Sequence, residues 1–554
     1  MRKYKELRIL GKYVRDPEVS FFILLILTLF FLFVVFPLLN VFKTSFNYGG
    51  TISFSNYYKV LSEPSFRQVF YNSLFMAGIS MIGAMIVGFL FAYLINNTDT
   101  PGKKFFQITA ILPLVSPPFV VGMAFIMLFG RRGLITQGLF GHIFEIYGWH
   151  GLFFVQTLSF FPLAYLFISS SLQSRDPNLS YAAQNLGGSG FHVFRTIDFP
   201  LLMPGILGAA LLISANILSD FGNPLLIGGR FSVLATEIYV QATTMMKMES
   251  AAVLCLFLLI PSVTFFMIQT YYLSKKSFIT VTGTTARSKV TPTKPWIKWP
   301  LFIFCLVISI IVILLYGAIF VGAFTKVWGF DYSFSLENLK NAMGSRGELK
   351  NSLIFALVAA ICNSFLGVII AYILLRKKFF GRGFLDFISV ILFVIPGTIV
   401  GVGYVITFNV PPLVLTGTPL LIVLSMIFRN IPLGVRAGKA ALQQISPSIE
   451  EASTNLGAGS FRTIQKIVFP LLKSPFFSTF IYTFIKSLTT LSAVIFLVYP
   501  RCNVASVSIV NMAEIGMWGN AAGLAFCLIA ISAILLILLR VILGGKTQLF
   551  QFHT

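Results

Sequence analysis

Charged residues are scarce in this chain, at 11% of 554 residues, and acidic ones are scarcest, with 18 Asp and Glu against 41 Lys and Arg. Histidines number four and cysteines five. The cysteines (Cys255, Cys305, Cys362, Cys502 and Cys527) are scattered with no CxxC pair, so neither a disulfide framework nor a thiolate metal site is implied. No HExxH, GxSxG or pair of aspartates falls within an apolar run. That sets aside an intramembrane enzyme and leaves no catalytic and no metal-binding candidate. The apolar runs do not alternate with polar residues, which excludes a membrane β-barrel.

What fills the chain instead is apolar: 56% of residues are hydrophobic. The runs "SFFILLILTLFFLFVVFPLLNVF" from Ser20 and "LFIFCLVISIIVILLYGAIFVGAF" from Leu301 each exceed the roughly 20 residues that cross a bilayer core. Spans are expected near 20–44, 68–95, 105–129, 150–172, 201–219, 250–273, 299–325, 351–375, 384–408, 415–435, 474–498 and 519–543. The chain therefore reads as an all-α polytopic membrane protein of about twelve transmembrane helices. The first run is too long for a signal-peptide core and no small-residue cleavage pattern follows it, so it reads as an uncleaved span. Basic clusters at Arg2 to Arg15, Lys275 to Lys298, and Arg376–Lys378 with Arg382 fall on the side that holds both termini, which the positive-inside rule makes cytoplasmic. The net charge of +23 is thus accounted for by orientation and attraction to anionic membrane lipid, with no nucleic-acid partner required.

The chain repeats itself. A shift of 279 places Asn72 on Asn351, Gly88 on Gly367, Ala92-Tyr93 on Ala371-Tyr372, Gly102 on Gly381 and Pro117 on Pro396. A shift of 270 places Pro177 on Pro447, Asn185-Leu186-Gly187 on Asn455-Leu456-Gly457, and Phe199-Pro200-Leu201-Leu202 on Phe469-Pro470-Leu471-Leu472. Six spans in each copy give the copies one orientation, so they form two parallel six-helix repeats. The expected divisions are a first half at 1–274, a basic cytoplasmic linker at 275–298 and a second half at 299–554.

The polar loops at 176–200 and 446–470 sit on the cytoplasmic side between the fourth and fifth spans of each half. In the second, Pro447 suits a first helical turn with Ser446 as N-cap, and Glu450 and Glu451 complement the helix dipole. Gly457 and Gly459 permit a turn, and "FRTIQKIVF" resumes helical spacing. A plain interfacial linker would account for one such loop. Two copies at matching places argue for two equivalent docking surfaces.

This stretch resembles the EAA loop of permease subunits in ABC importers: Glu-Ala-Ala, three residues, Gly, nine residues, then Ile-x-Leu-Pro. The pattern falls on Glu451, Ala452, Ser453, Gly457, Ile467, Phe469 and Pro470, and in the first copy on Tyr181, Ala182, Ala183, Gly187, Ile197, Phe199 and Pro200. Tyr181 departs from the pattern's glutamate, Ser453 from its third residue, and Phe replaces Leu before both prolines. The layout is similar to the fused permeases of the ferric-iron, thiamine and phosphonate importers. The resemblance implies a fold like that of type I ABC importer permeases in a bacterial inner membrane. It also implies two copies of an ATPase subunit docked on the two loops, an extracytoplasmic solute-binding protein, and ATP with Mg held by the partner subunits, no cofactor being bound by this chain. "LGGKT" at 543–547 is no P-loop, because Arg540 stands where the motif needs glycine.

Polar residues in or beside spans are the candidates for a substrate path. In the first half these are Asn216, Ser219, Asp220 and Asn223, and in the second Lys486, Thr489 and Thr490. Hydrogen bonding between helices is the competing account of them. "FGNPLLIGG" resembles permeases for ferric iron, and a hard trivalent cation favours oxygen donors such as Asp220 or Glu237. Lys486, followed by Ser487 where the iron permeases often carry an acid, instead suits an anionic solute such as a sugar phosphate, pyridoxal phosphate or phosphonate. Ferric iron is the first substrate implied, with these anions and thiamine as alternatives. An ion-coupled secondary transporter is the rival class, but only Asp220 could serve it and the duplicated loop would have no use.

Overall fold

The computed structural model describes residues 17–142, 144–174, 177–269, 294–344 and 347–542. Most of the basic linker, the N-terminal basic cluster and the 543–547 segment lie outside these described residues. Ten helices among them are long and apolar enough to cross a membrane, and an eleventh span is a pair, Gln465–Leu471 and Pro475–Leu488, bent by 61°. The all-α, two-repeat architecture expected from the sequence is met. The third span of each half is not one helix, however. It breaks into Lys103–Val115 and Pro118–Phe129 in the first half, and into Arg382–Ile391 and Gly397–Phe408 in the second. Pro117 and Pro396, equivalent by the 279 shift, are the N-caps of the two later pieces. A proline has no N–H to donate and pushes its predecessor out of the helical region, so both halves break at the same residue.

The helices that organise the first half are α1 (Pro64–Asn97), α2 (Trp149–Ser174), α3 (Pro177–Asn185) and α4 (Phe199–Leu218). Their counterparts are α5 (Glu348–Arg376), α6 (Pro419–Gln443), α7 (Ser448–Asn455) and α8 (Lys473–Leu488). In each half the second and fourth spans meet at a glycine. A Cβ on Gly88 would lie 2.4 Å from Ala164 Cβ and 2.7 Å from Tyr165 N, and one on Gly367 would lie 2.6 Å from Gly434 Cα. Helices in lipid gain little from hydrophobicity when they associate, so approach this close, with its dispersion contacts, is what joins them.

The chain packs as two compact units that cut across the sequence halves. One holds the described residues up to Ser53 with Met343–Ser508 and Cys527 onward, and the other holds Phe54–Ala342 with Ile509–Phe526. Each half thus contributes its first span to the unit built on the other half's core. In the first unit Tyr404 Oη donates to Phe33 O (2.9 Å), Asn40 Nδ2 donates to Thr407 Oγ1 (3.1 Å), and the Phe33 and Phe428 rings stack 5.4 Å apart. In the other, Thr109 and Ser309 share a hydroxyl bond (2.9 Å) and Ser116 bonds Tyr316. Buried hydroxyls and amides that find partners across helices in this way fix the neighbour of each span. A small antiparallel hairpin follows each first span: Asn47–Tyr48 pairs with Thr51–Ile52, and Thr325–Val327 with Asp331–Phe334.

Gly367→Ala is expected to cost about 1–3 kcal/mol by overpacking α5 against α6. It should show as a lowered melting temperature of the detergent-solubilised protein. Gly383→Ala, where an added Cβ meets open space, should leave the melting temperature unchanged.

Candidate coupling loops and polar clusters

Both polar loops fold as a short helix, a glycine turn and a second helix. α3 and α7 end at Asn185 and Asn455, and Gly187 (φ 89°) and Gly457 (φ 84°) then take left-handed backbone conformations that glycine adopts without strain. Matching bonds close the turns: Gly188 N donates to Ala183 O (3.0 Å) and Ala458 N to Ser453 O (3.1 Å). One π-helical turn follows at Phe194–Asp198 and at Ile464–Val468, again 270 residues apart. Ser446 Oγ accepts from Ser448 N (3.4 Å), and Glu450 N and Glu451 N donate to Pro447 O, so Pro447 opens the helix where the sequence puts it.

Of the motif residues, Ala182, Glu451 and Ala452 are exposed and Ala183 is half-buried. Ser453 is buried and shares a hydroxyl bond with Thr463 (2.9 Å), so it pins the two loop helices together. The side chain of Tyr181 lies outside the described residues. Sequence reasoning missed the residue between the helix and the glycine: Leu186 and Leu456 are each 89% exposed. The signal was present in the repeat itself, since a leucine kept twice beside the turn of a polar loop is out of character for a solvated linker.

The path candidates fall into two clusters, each within one unit. Asp220 is buried just after α4. Its Oδ2 accepts from Gln156 Nε2 on α2 and from Asn223 Nδ2, both at 3.0 Å, and Ser80 Oγ on α1 donates to Gln156 Oε1 (3.0 Å). Asn223 is fully buried, and an added Cβ on Gly122 would lie 2.7 Å from its Oδ1. Asn216 and Ser219 are half-buried and donate to carbonyls one turn back, Leu212 O and Ala215 O.

In the second half Thr490, the equivalent of Asp220, accepts from Arg429 Nη1 on α6 (3.1 Å), which also donates to Ser492 Oγ (3.0 Å). Among the described residues no carboxylate pairs with Arg429. Its signal was legible, because a charge within a span is a functional candidate by default. Lys486 is exposed, with Nζ 5.8 Å from the Tyr482 ring centre, and Thr489 donates to Ile485 O. Asp220 and Asn223 thus meet, Thr490 meets Arg429, and Lys486 keeps its side chain exposed. No three His, Cys, Asp or Glu come together as metal ligands among the described residues.

Residues 84–279 and 363–545 each match the family model described as the inner membrane component of binding-protein-dependent transport systems. The chain belongs to that family. Both loops, Asp220, Arg429 and Lys486 lie inside the matched stretches, and the protein is a multi-pass inner-membrane transport component, not itself an enzyme. It is 35% identical over 538 residues to the ferric transport system permease protein FbpB of Actinobacillus pleuropneumoniae, covering 94% of this chain and 78% of the relative. It is 36% identical over 488 residues to a putative ferric transport system permease protein FbpB 1 of Haemophilus influenzae, covering 86% and 77%. Over 204 residues, 36% of this chain and 88% of the relative, it is 32% identical to the molybdenum transport system permease protein ModB of Escherichia coli.

Asp220→Ala is expected to lower the melting temperature, since Gln156 and Asn223 lose a buried acceptor at a cost of about 1–3 kcal/mol. Asp220→Asn keeps an acceptor oxygen and should melt closer to the parent. Thermal unfolding in detergent, followed by intrinsic fluorescence, checks both.

Proposed function

We propose that this chain is the permease of an ATP-driven ferric-iron importer, coupled to two ATPase subunits through its loops at 176–200 and 446–470. The observation that carries the coupling is the same helix–glycine turn built twice, each presenting an exposed leucine beside the turn. One chain with two such surfaces takes two ATPase copies. ATP and Mg are held and hydrolysed there, both termini face the cytoplasm, and a binding protein delivers solute to the opposite face. The iron assignment rests on the identity to the two ferric permeases along most of this chain.

A second reading, import of an oxyanion, is favoured by Arg429, a guanidinium within a span whose described partners are hydroxyls alone, and by the stretch similar to the molybdenum permease. Among the path candidates, Lys486 is exposed and Asn216, Ser219, Thr489 and Thr490 are half-buried, so each keeps some surface that a solute could reach. Asp220 and Asn223 bond each other within the unit and hold the segment that follows α4.

The test is reconstitution in proteoliposomes with the ATPase and the binding protein. ATP-dependent uptake of ferric iron is expected, from a complex whose mass gives one permease to two ATPases. Uptake of molybdate in place of iron selects the second reading. Uptake driven by an ion gradient without the ATPase, or two permease chains per complex, refutes the proposal. Leu186→Asp and Leu456→Asp should each reduce the ATPase that co-purifies with the permease, and the double variant should abolish it.

A further inference from the structure

The two coupling loops are fastened to the membrane helices by different bonds. In the second half the fastener is Arg376, the last residue of α5. Its Nε donates to Glu450 Oε1 on α7 (2.7 Å), and its Nη2 donates to Leu442 O (3.1 Å) near the end of α6 and to Ile445 O (2.8 Å) just beyond it. Arg376 and Glu450 retain only 15% and 13% side-chain exposure. The last carbonyls of a helix lack partners inside it, and here one planar, forked cation fills that need while holding a carboxylate from the next helix. Three elements, α5, α6 and α7, are joined at a single side chain.

Among the described residues of the first half, no arginine stands in the matching place. α1 ends at Asn97, the equivalent of Arg376, and Ser180 occupies the place of Glu450. Ser180 Oγ donates to Asp198 Oδ1 (2.6 Å), which ties α3 forward to the turn that leads into α4. α7 is therefore clamped back onto two spans by an ion pair, whereas α3 is tied to the helix that follows it. A mostly buried pair of this kind resists separation, because breaking it strands a desolvated charge.

We propose that Arg376 is the positioning residue that carries movement of α7 into α5 and α6. This rests on the reading that the loops dock the ATPase. It predicts that loss of the clamp leaves the ATPase bound, since α7 keeps its exposed face, but lets α7 move without the spans.

The test uses the full chain with its ATPase and binding protein in proteoliposomes. It reads the ATPase retained and the ATP hydrolysed per solute imported. Arg376→Met should keep the ATPase and raise ATP per solute by about tenfold, within the usual range of coupling between sites. Glu450→Gln keeps an acceptor oxygen for Arg376 Nε and should lose less coupling than Glu450→Ala, with the ATPase retained in both, and Asn97→Ala should couple as the parent does. If Arg376→Met does not fold, Arg376→Lys serves. It can keep the charge beside Glu450 but not the fork to both carbonyls, and it should fold and couple at an intermediate ratio. Parental coupling in Arg376→Met or in Arg376→Lys overturns the proposal. Failure of the docking reading looks different: the Leu186→Asp, Leu456→Asp double variant would then keep both its ATPase and its uptake.

Discussion

The contact on which the rest depends is the approach of the second and fourth spans within each half, α1 to α2 and α5 to α6. At Gly88 and Gly367 the helices come so near that an added Cβ would touch backbone atoms of the neighbour. In a bilayer there is no water to expel between apolar helices, so association depends on dispersion at short range and on polar groups that find each other. The hydrogen bonds of this pair follow from its closeness. Ser80 reaches Gln156, and Asn96 Nδ2 reaches Ser169 Oγ at 2.8 Å. The fourth span is also the element from which each polar loop hangs. Its fixed end sets where α3 and α7 begin.

The loop geometry follows from that fixed end in a few residues. A proline opens the short helix, a left-handed glycine closes it, and a π-helical turn re-enters the membrane helix just before Phe199-Pro200 and Phe469-Pro470. Wide turns of this kind mark functional sites more often than ordinary helix does. Both copies keep the turn although, of its own five residues, only Ile197 and Ile467 are identical between them. What has been kept is a backbone path, on which the side chains were free to diverge.

The spans, the duplication and the glycine turns were legible because each leaves a local mark: a long apolar run, an identity at constant shift, a glycine between two helical patterns. The broken third spans were half legible. The prolines at 117 and 396 aligned, yet the apolar stretch across each reads as continuous, since hydropathy records composition and not the missing N–H. The exchange of first spans left no local mark. Phe33 meets Tyr404, 371 positions away, and nothing in either run names its neighbour. Asp220 shows the same limit. Its position beside a span was evident, but its partner Gln156 lies 64 residues off, in a run that reads as apolar.

Duplication explains why the two polar clusters are alike in place and opposite in sign. In each half the fourth span sends a side chain to the segment that follows the fifth. In one it is the Gln156 amide, which donates to a carboxylate; in the other it is the Arg429 guanidinium, which donates to hydroxyls. Gln156 corresponds to Met426 by the 270 shift, and Arg429 to Ser159, so donor and acceptor both changed and the donor moved by about one turn. A buried acceptor needs a donor and a buried donor an acceptor, whichever residue supplies it. The constraint inherited by both halves is therefore a satisfied crosslink at that depth. Its charge is not constrained, and a fused permease can hold an anion in one half and a cation in the other without changing its fold.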